Sequence, residues 1–474
     1  MFRIGEEIEL LVDKFADRGK CLSRYDGFIV FIEGIIPGEI VRAKIHKIKK
    51  NYAEAKLLFI VKESPFRVTP PCRYFGFCGG CKWQHVLYER QLEAKRQSVL
   101  DAAHSIGGFH NSTVNNTIGS SAVYGYRTKM EFSFSDRTWL PYKEAQSHDL
   151  PKNTLAAGLH APFQFSSVID IKECHLQRSP SSEILNMIRE TAITHDWKPW
   201  NCFKKIGYLK HLVVRIGERT GEIMVNLVTE SYVPERMQAL GDLLQQNFPE
   251  ITTFVNTIVP GSSQNVSGAE VEVLYGQGAI YERIGNYFFE IKPNAFFQPN
   301  TSQAEVIYNL SRVYAELKPT DIVYDLYCGT GTISILLSPF ARKVVGIEIS
   351  REAVDNAFSN AKANNAGNCS FICGDLMKVF TEEFVSQHGK PDVIILDPPR
   401  PGLHKRTVEH IAQLKASRLV YVSCNPATQM RDIAMLKDFY NINEVQPVDM
   451  FPQTYHIESV VKMKLKEDIC SQRE

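Results

Sequence analysis

From about residue 295 onward, stretches patterned for buried strands alternate with stretches patterned for helices. "DIVYDLY", "KVVGIEI", "CSFIC", "PDVIILD" and "RLVYVSC" are short and apolar. Helix-period segments such as "SQAEVIYNLSRVYAEL", "REAVDNAFSNAKANN" and "TVEHIAQLKA" lie before or between them. Strands that are apolar throughout and joined by helices can bury both faces only as a parallel sheet with crossover connections. The pattern therefore predicts a Rossmann-like, doubly wound α/β unit. Two further strands, "YNINEVQPVDMF" and "ESVVKMKL", close it.

The preceding chain reads differently. Residues 1–61 are short strands punctuated by Gly5, Gly19, Gly27, Gly34 and Gly38, with no helical period, which predicts a small OB-like β-barrel. "KESPFRVTPPC" is a plausible linker. Residues 62–293 mix helical segments with hairpins turning at Arg219-Thr220-Gly221 and Gly285-Asn286, a central α+β domain. Residues 294–474 form the third unit. A chain of 474 residues is long enough for three such cores.

Charged residues make up 23% of the chain and apolar ones 44%, the balance of a soluble protein, and no apolar run is long enough to span a membrane. The start "MFRIGEEIEL" has no signal-peptide pattern, so a cytoplasmic location is expected. A net charge of +1 does not mark a nucleic-acid binder, but "VRAKIHKIKK" would carry one basic face as a strand. Such a stripe is more often only a solvated face. Eleven cysteines suit reduced, metal-bound or catalytic roles better than disulfides.

In "YDLYCGTGTI", Gly329 and Gly331 occupy the turn after the first strand of the α/β unit, where a cofactor can approach backbone. Glu348 ends the next strand, positioned for ribose hydroxyls. Ser334 stands where a dinucleotide fingerprint has its third glycine. A nucleoside without pyrophosphate, such as S-adenosylmethionine, therefore fits better than NAD. Asp397, in "VIILDPPRPGLH", and Cys424, in "VYVSCNPATQMRD", both end strands at the ligand edge. A cysteine is ordinarily a small buried hydrophobe, but Asn425-Pro426 breaks the strand just after this one. If the last strand runs antiparallel beside the fifth, Glu458 at its start faces Cys424. A thiolate near a carboxylate suits methylation at carbon 5 of a uracil. Addition at carbon 6 activates carbon 5, and a base must later remove its proton. Asp-Pro-Pro also occurs in methyltransferases acting on adenine amino groups, but Arg400 stands where those carry a stacking aromatic.

Cys72, Cys78 and Cys81 are spaced C-x5-C-x2-C in "CRYFGFCGGCKWQH". Structural zinc more often uses paired C-x2-C knuckles, so an iron–sulfur cluster is favoured, with Cys174 as fourth ligand and Cys21 or Cys202 as alternatives. A radical S-adenosylmethionine enzyme would need C-x3-C-x2-C, which does not occur.

Taken in order, "NAFFQPN", "DLYCGTGTI", "LDPPRPG", "SCNPATQMRD" and "DMFPQTYHIES" resemble the signatures of RNA uracil-5-methyltransferases. The resemblance covers about residues 294–465 and extends to residues 1–61 as a TRAM domain and to the cysteine segment as a 4Fe-4S site. It implies that Cys424 is the nucleophile and Glu458 the base. It also implies that Gln298, Tyr327, Glu348, Asp375 and Asp397 line the S-adenosylmethionine pocket. Thr332 stands where some relatives have asparagine. "YGYRTKMEFSF" resembles a central-domain strand, with Arg127 and Lys129 expected on one face and Tyr126 and Phe132 on the other. The implied partner is RNA, ribosomal RNA of the large subunit before tRNA, with no membrane and no obligate protein partner. A non-catalytic RNA-binding assembly factor is the rival that an intact Cys424 and Glu458 argue against.

Overall fold

The computed structural model describes residues 3–111, 113–140, 155–164 and 166–467. Five strands, β1 (Glu7–Phe15), β2 (Cys21–Tyr25), β3 (Phe28–Ile32), β4 (Ile40–Ile48) and β5 (Tyr52–Lys62), close a barrel in the order β1-β2-β3-β5-β4. Period-2 alternation fills it: Val41, Ala43 and Ile45 of β4 are buried inside, while Arg42, Lys44 and His46 point away from them. The basic stripe does not stand alone. Glu7 and Glu9 of β1 lie in register with Lys44 and Arg42, which offsets part of its charge.

Next comes helix α1 (Tyr88–Ala102). It belongs by packing to the far end of the chain. Val99, Ala102 and Ala103 share one apolar core with Leu419, Tyr421 and Val445. The chain after it extends the last sheet through bridges Val114–Val445 and Ile118–Val448.

The central sheet contains β6 (Lys129–Ser135), β7 (Ala156–His160), β8 (Val168–Asp170), β9 (Leu209–Ile216), β10 (Ile223–Thr229), β11 (Ile251–Ile258) and β12 (Glu270–Tyr275), in the order β12-β11-β10-β9-β6-β7-β8. Helices α2 (Ser181–Thr194) and α3 (Pro234–Asn247) share its core with Phe132, Leu212 and Val225. The β9–β10 hairpin forms as expected, as does the hairpin of β13 (Ile280–Ile284) and β14 (Tyr287–Ile291), with Gly285 at φ +57 in the turn. One expectation is corrected. Tyr126 and Phe132 are both buried, but not on one strand face. The chain reaches β6 only at Lys129, and Tyr126 packs earlier with Cys81 and Leu176.

The last sheet contains β15 (Ile322–Leu326), β16 (Lys343–Glu348), β17 (Cys369–Cys373), β18 (Val393–Leu396), β19 (Arg418–Ser423), β20 (Tyr440–Val448) and β21 (Glu458–Leu465). Their order is β17-β16-β15-β18-β19-β21-β20. The first five are parallel and β21 is antiparallel to β19 and β20. Helices α4 (Thr301–Ala315), α5 (Thr332–Leu337), α6 (Arg351–Ala363), α7 (Leu376–Val379), α8 (Glu382–His388), α9 (Lys405–Leu414) and α10 (Pro426–Leu436) accompany the strands. From β15 the chain winds outward to β17, then returns to the other side of β15 as β18. The crevice for a ligand therefore opens at the carboxyl ends of β15 and β18. Among the described residues, no helix is long and apolar enough to cross a membrane.

A buried ion pair ties α1 to this sheet. Lys95 Nζ lies 2.5 Å from Asp449 Oδ1, and both side chains are fully buried. Lys95 also donates to the Phe451 carbonyl at 3.1 Å, and the Tyr88 hydroxyl donates to Asp449 Oδ2 at 2.9 Å. Removing one partner of such a pair strands the other charge away from water. Lys95→Met should therefore lower stability by about 3–5 kcal/mol, read as an earlier midpoint in urea unfolding. A midpoint within error of the parent would show that water or another cation reaches Asp449.

Candidate active site

The turn after β15 is shaped by close approach. Tyr327, at φ +68, and Cys328 both send their amides to the Ile347 carbonyl, at 2.9 and 3.1 Å. Gly331 is also left-handed, and a Cβ there would lie 2.9 Å from Phe371 and 3.0 Å from Ala357, so only glycine fits. An added carbon on Gly329 would meet nothing within 4 Å; that side of the turn is open. Glu348 ends β16 beside it. Its Oε2 accepts from Gly329 N at 3.2 Å and its Oε1 from Ser350 N at 2.9 Å.

Asp325 lies beneath the turn, fully buried. Its Oδ2 accepts from Ser334 Oγ at 2.5 Å, while its buried Oδ1 has no hydrogen-bond partner. Burial pushes its carboxyl up to about 7. Asp397, half-buried after β18, is pushed up to about 7 by burial and by Asp325. Asp375 caps α7 by accepting from Met377 N at 3.0 Å. Thr332 is buried at the start of α5, its hydroxyl 3.4 Å from that of Thr330. Gln298 lies in the loop before α4, and the central domain holds that loop. Thr128 donates its amide to the Pro299 carbonyl at 2.8 Å and its hydroxyl to the Gln298 carbonyl at 3.4 Å. The cap of α4 is Asn300, whose Oδ1 accepts from Gln303 N. An open glycine turn, a carboxylate beside it and an orphaned buried carboxylate oxygen fit a nucleoside bearing a cationic amino-acid tail. That is the chemistry of S-adenosylmethionine.

Cys424 and Glu458 are neighbours across two strands. Ser423 pairs with Ser459 in the antiparallel β19–β21 ladder, so the register sets Cys424 opposite Glu458. Cys424 is half-buried and opens into a cleft of about 1110 Å³, with Arg400, Tyr455 and His456 on its own side. Phe15 to Arg18 of the barrel line the same cleft. Glu458 is buried. Burial, then the nearby Asp397, hold its carboxyl well above the usual range, and Arg400 opposes them. Burial, then Glu458, push the Cys424 thiol up to about 11, with Arg400 again pulling down.

Three contributors are not evident from sequence. Arg400 is the cation beside both reactive groups. Buried Tyr308, on α4, lies near Asp397, Glu458 and Asp325, and burial and those carboxyls raise its phenol. His456 lines the cleft. Burial and the cations Arg400, Lys95 and Arg127 depress it to about 4. Arg400 and His456 lie inside the quoted motifs; Tyr308, an ordinary helix residue, carries no local signal.

Cys72, Cys78, Cys81 and Cys174 line one small pocket. Cys21 is in the barrel core, 3.1 Å from the Ile35 carbonyl, and Cys202 is exposed. Burial raises all four thiols, Cys78 to about 11 and Cys81 to about 12. Among the described residues, no three His, Cys, Asp or Glu are grouped to hold a metal ion.

Residues 216–466 match the tRNA (Uracil-5-)-methyltransferase family profile, and residues 2–58 match the TRAM domain. A Bacteroides thetaiotaomicron protein described as an uncharacterized RNA methyltransferase is 38% identical over 95% of this chain and 100% of its own. A Chlorobaculum tepidum protein described in the same words is 39% identical over 97% of this chain and 96% of its own. Among solved structures, the Pyrococcus abyssi tRNA (uracil-54, C5)-methyltransferase in complex with S-adenosyl-L-homocysteine superimposes with a TM-score of 0.73. It is 27% identical and covers 96% of this chain and 100% of that one.

The raised Cys424 thiol has a direct readout. Alkylation by iodoacetamide follows the thiolate, so its rate at Cys424, followed by peptide mass mapping, should climb about tenfold per pH unit from 7 to 9. Arg400→Ala removes the group that lowers the thiol and should slow alkylation at each pH. A plateau below pH 8 in the parent protein would mean that the thiol is ionised far more easily than its surroundings dictate.

Proposed function

Because the chain belongs to the tRNA (uracil-5-)-methyltransferase family, we propose that it methylates carbon 5 of a uridine in RNA by covalent thiolate catalysis, forming 5-methyluridine. S-adenosylmethionine supplies an electrophilic methyl group. Cys424 releases its proton to water in the open cleft, aided by Arg400, and its sulfur adds to carbon 6 of the uracil. The displaced electron pair makes carbon 5 nucleophilic, and carbon 5 takes the methyl group as the donor's S–CH3 bond breaks and its sulfur leaves as the neutral thioether of S-adenosylhomocysteine. Glu458 then removes the carbon-5 proton, the ring double bond re-forms, and the sulfur leaves. A carboxyl raised above its ordinary range suits this task, because once ionised it is a stronger base than an ordinary one. What supports the reading is the strand register that sets buried Glu458 opposite Cys424, which lines the cleft. Gln298, Tyr327, Glu348, Asp375 and Asp397 are proposed as the residues lining the methyl donor's site.

In this reading the RNA enters the cleft between the TRAM barrel, residues 1–61, and the catalytic unit, residues 294–474. The central domain, residues 62–293, holds it from the side. The target uridine must leave its stack, because carbon 6 is shielded there. Large-subunit ribosomal RNA is the proposed substrate, on the resemblance of the TRAM barrel and cysteine segment to ribosomal members of the family. The superimposed archaeal enzyme is a tRNA methyltransferase, which favours tRNA as the second reading. Cys72, Cys78, Cys81 and Cys174 are proposed to hold a 4Fe-4S cluster with a structural role. The protein is proposed to work in the cytoplasm.

Mass mapping of 5-methyluridine in ribosomal RNA and tRNA, with and without the gene, separates the two substrates. Loss from neither would overturn the reaction. For the chemistry, Glu458→Gln should transfer one methyl group and then stall, leaving a denaturation-resistant protein–RNA complex. Its turnover should be lower by roughly 10²–10⁴. Cys424→Ala should form no complex at all. For the cluster, protein purified without oxygen should carry about four irons and lose them on Cys78→Ser. Stoichiometric zinc under the same conditions would refute it.

A further inference from the structure

The chain from Asp449 to Ile457 leads into Glu458, yet none of the proposed cofactor-lining residues, nor Cys424, lies on it. Beyond the Lys95 and Tyr88 contacts near its start, it is held from outside its own sheet most densely at Gln453. Lys82 N and Trp83 N, immediately after Cys81, both donate to the Gln453 carbonyl at 3.0 Å. The Gln91 side chain of α1 completes the grip. Its Nε2 donates to Gln453 Oε1 at 3.0 Å, and its Oε1 accepts from Gln453 N at 3.0 Å. Gln91 is itself fixed, donating to the Val86 carbonyl at 2.9 Å and the Trp83 carbonyl at 3.1 Å, and is fully buried. The Tyr126 hydroxyl adds a bond to the neighbouring Pro452 carbonyl at 3.1 Å. Gln453 adopts φ +67, a conformation that residues other than glycine rarely take, and only a surrounding lattice of bonds sustains it.

Neither Gln91 nor Gln453 lines the cleft. Glu458 is the first residue of β21, where the β20 ladder ends at its pairing with Val448 and the β19 ladder at Ser459, so strand pairing continues only on its C-terminal side. On the other side its placement depends on this loop. We infer that Gln91 and Gln453 are positioning residues that set the proton-removing carboxyl of Glu458 through the loop, without touching the substrate. The inference rests on the reading of Glu458 as the base.

It has a signature that a general structural role lacks. Cys424 is mounted on β19 and the proposed donor site on β15 to β18 and the loop before α4, so loosening Gln453 should leave attack and methyl transfer intact. Only proton removal should slow. Gln453→Gly is the cleanest variant, because it deletes the side-chain bond while relieving the left-handed backbone. Gln91→Leu is the harsher second variant. Each should transfer the first methyl group within about twofold of the parent rate, and turn over roughly tenfold to a hundredfold more slowly. Each should also accumulate the denaturation-resistant complex with ordinary RNA. Glu458→Gln, run in parallel, separates the two ideas. If it accumulates the complex and Gln453→Gly does not, the positioning role alone is wrong. If Glu458→Gln accumulates none, the base assignment fails and the inference with it. An equal fall in methyl transfer and turnover in Gln453→Gly would also overturn the inference.

Discussion

The buried pair of Lys95 and Asp449 is the contact on which the arrangement of this molecule turns. Two full charges without water are costly unless every remaining bond is made. Here Lys95 also meets the Phe451 carbonyl, and Asp449 also accepts from Tyr88 and from the Phe451 amide. The network cannot form unless α1 lies against the start of the loop after β20. Around that loop the other parts of the chain meet. Gly19 of the barrel packs so closely on it that a Cβ would lie 3.3 Å from Tyr455, and the cysteine segment bonds to Gln453. A pair removed from solvent thus fixes the alignment of a cleft whose walls come from sequence positions hundreds of residues apart.

A second constraint is electrostatic. Asp325, Asp397 and Glu458 crowd one end of the crevice, and each has its carboxyl raised by burial before any neighbour acts. Several like charges in a low-dielectric space cannot all ionise, so each additional charge must be met by a cation. Arg400 is one such cation. The sulfonium and amino group of the methyl donor would bring more, which gives the acidic lining a reason to exist before the donor arrives. Burial first, and the nearby Glu458 second, also raise the Cys424 thiol, which Arg400 pulls down.

Legibility followed the range of the interactions. The barrel, the hairpins and the doubly wound order were readable because alternation, glycine turns and helical period are local signals. Cys424 and Glu458 were readable because a strand end is visible in sequence and the antiparallel closure of β21 is the simplest way to finish the sheet. The sequence offers Cys174 as the companion of Cys72, Cys78 and Cys81, with Cys21 and Cys202 as alternatives; Cys174 shares their pocket, Cys21 lies in the barrel core and Cys202 is exposed. Tyr126 misled. Its spacing matched Phe132, yet the strand begins only after it, and the cysteine pocket offered a closer apolar partner. Tyr308 and Gln91 look like ordinary members of helical faces, and nothing local distinguishes a buried glutamine that grips a loop from a surface one.

By itself the sequence determined the N-terminal barrel, the doubly wound order of the last unit and the family to which the chain belongs, because those depend on residue type and on spacings of a few residues. Only the tertiary structure decided that α1 leaves the central region to pack on the last sheet and that the acidic strand β1 lies beside the basic stripe of β4. Tertiary structure also decided that one glutamine in a left-handed turn is held by separate, distant segments. Each of these is a pairing between remote stretches, selected by which surfaces and charges must be buried together, and that choice is made only when the whole chain has been packed.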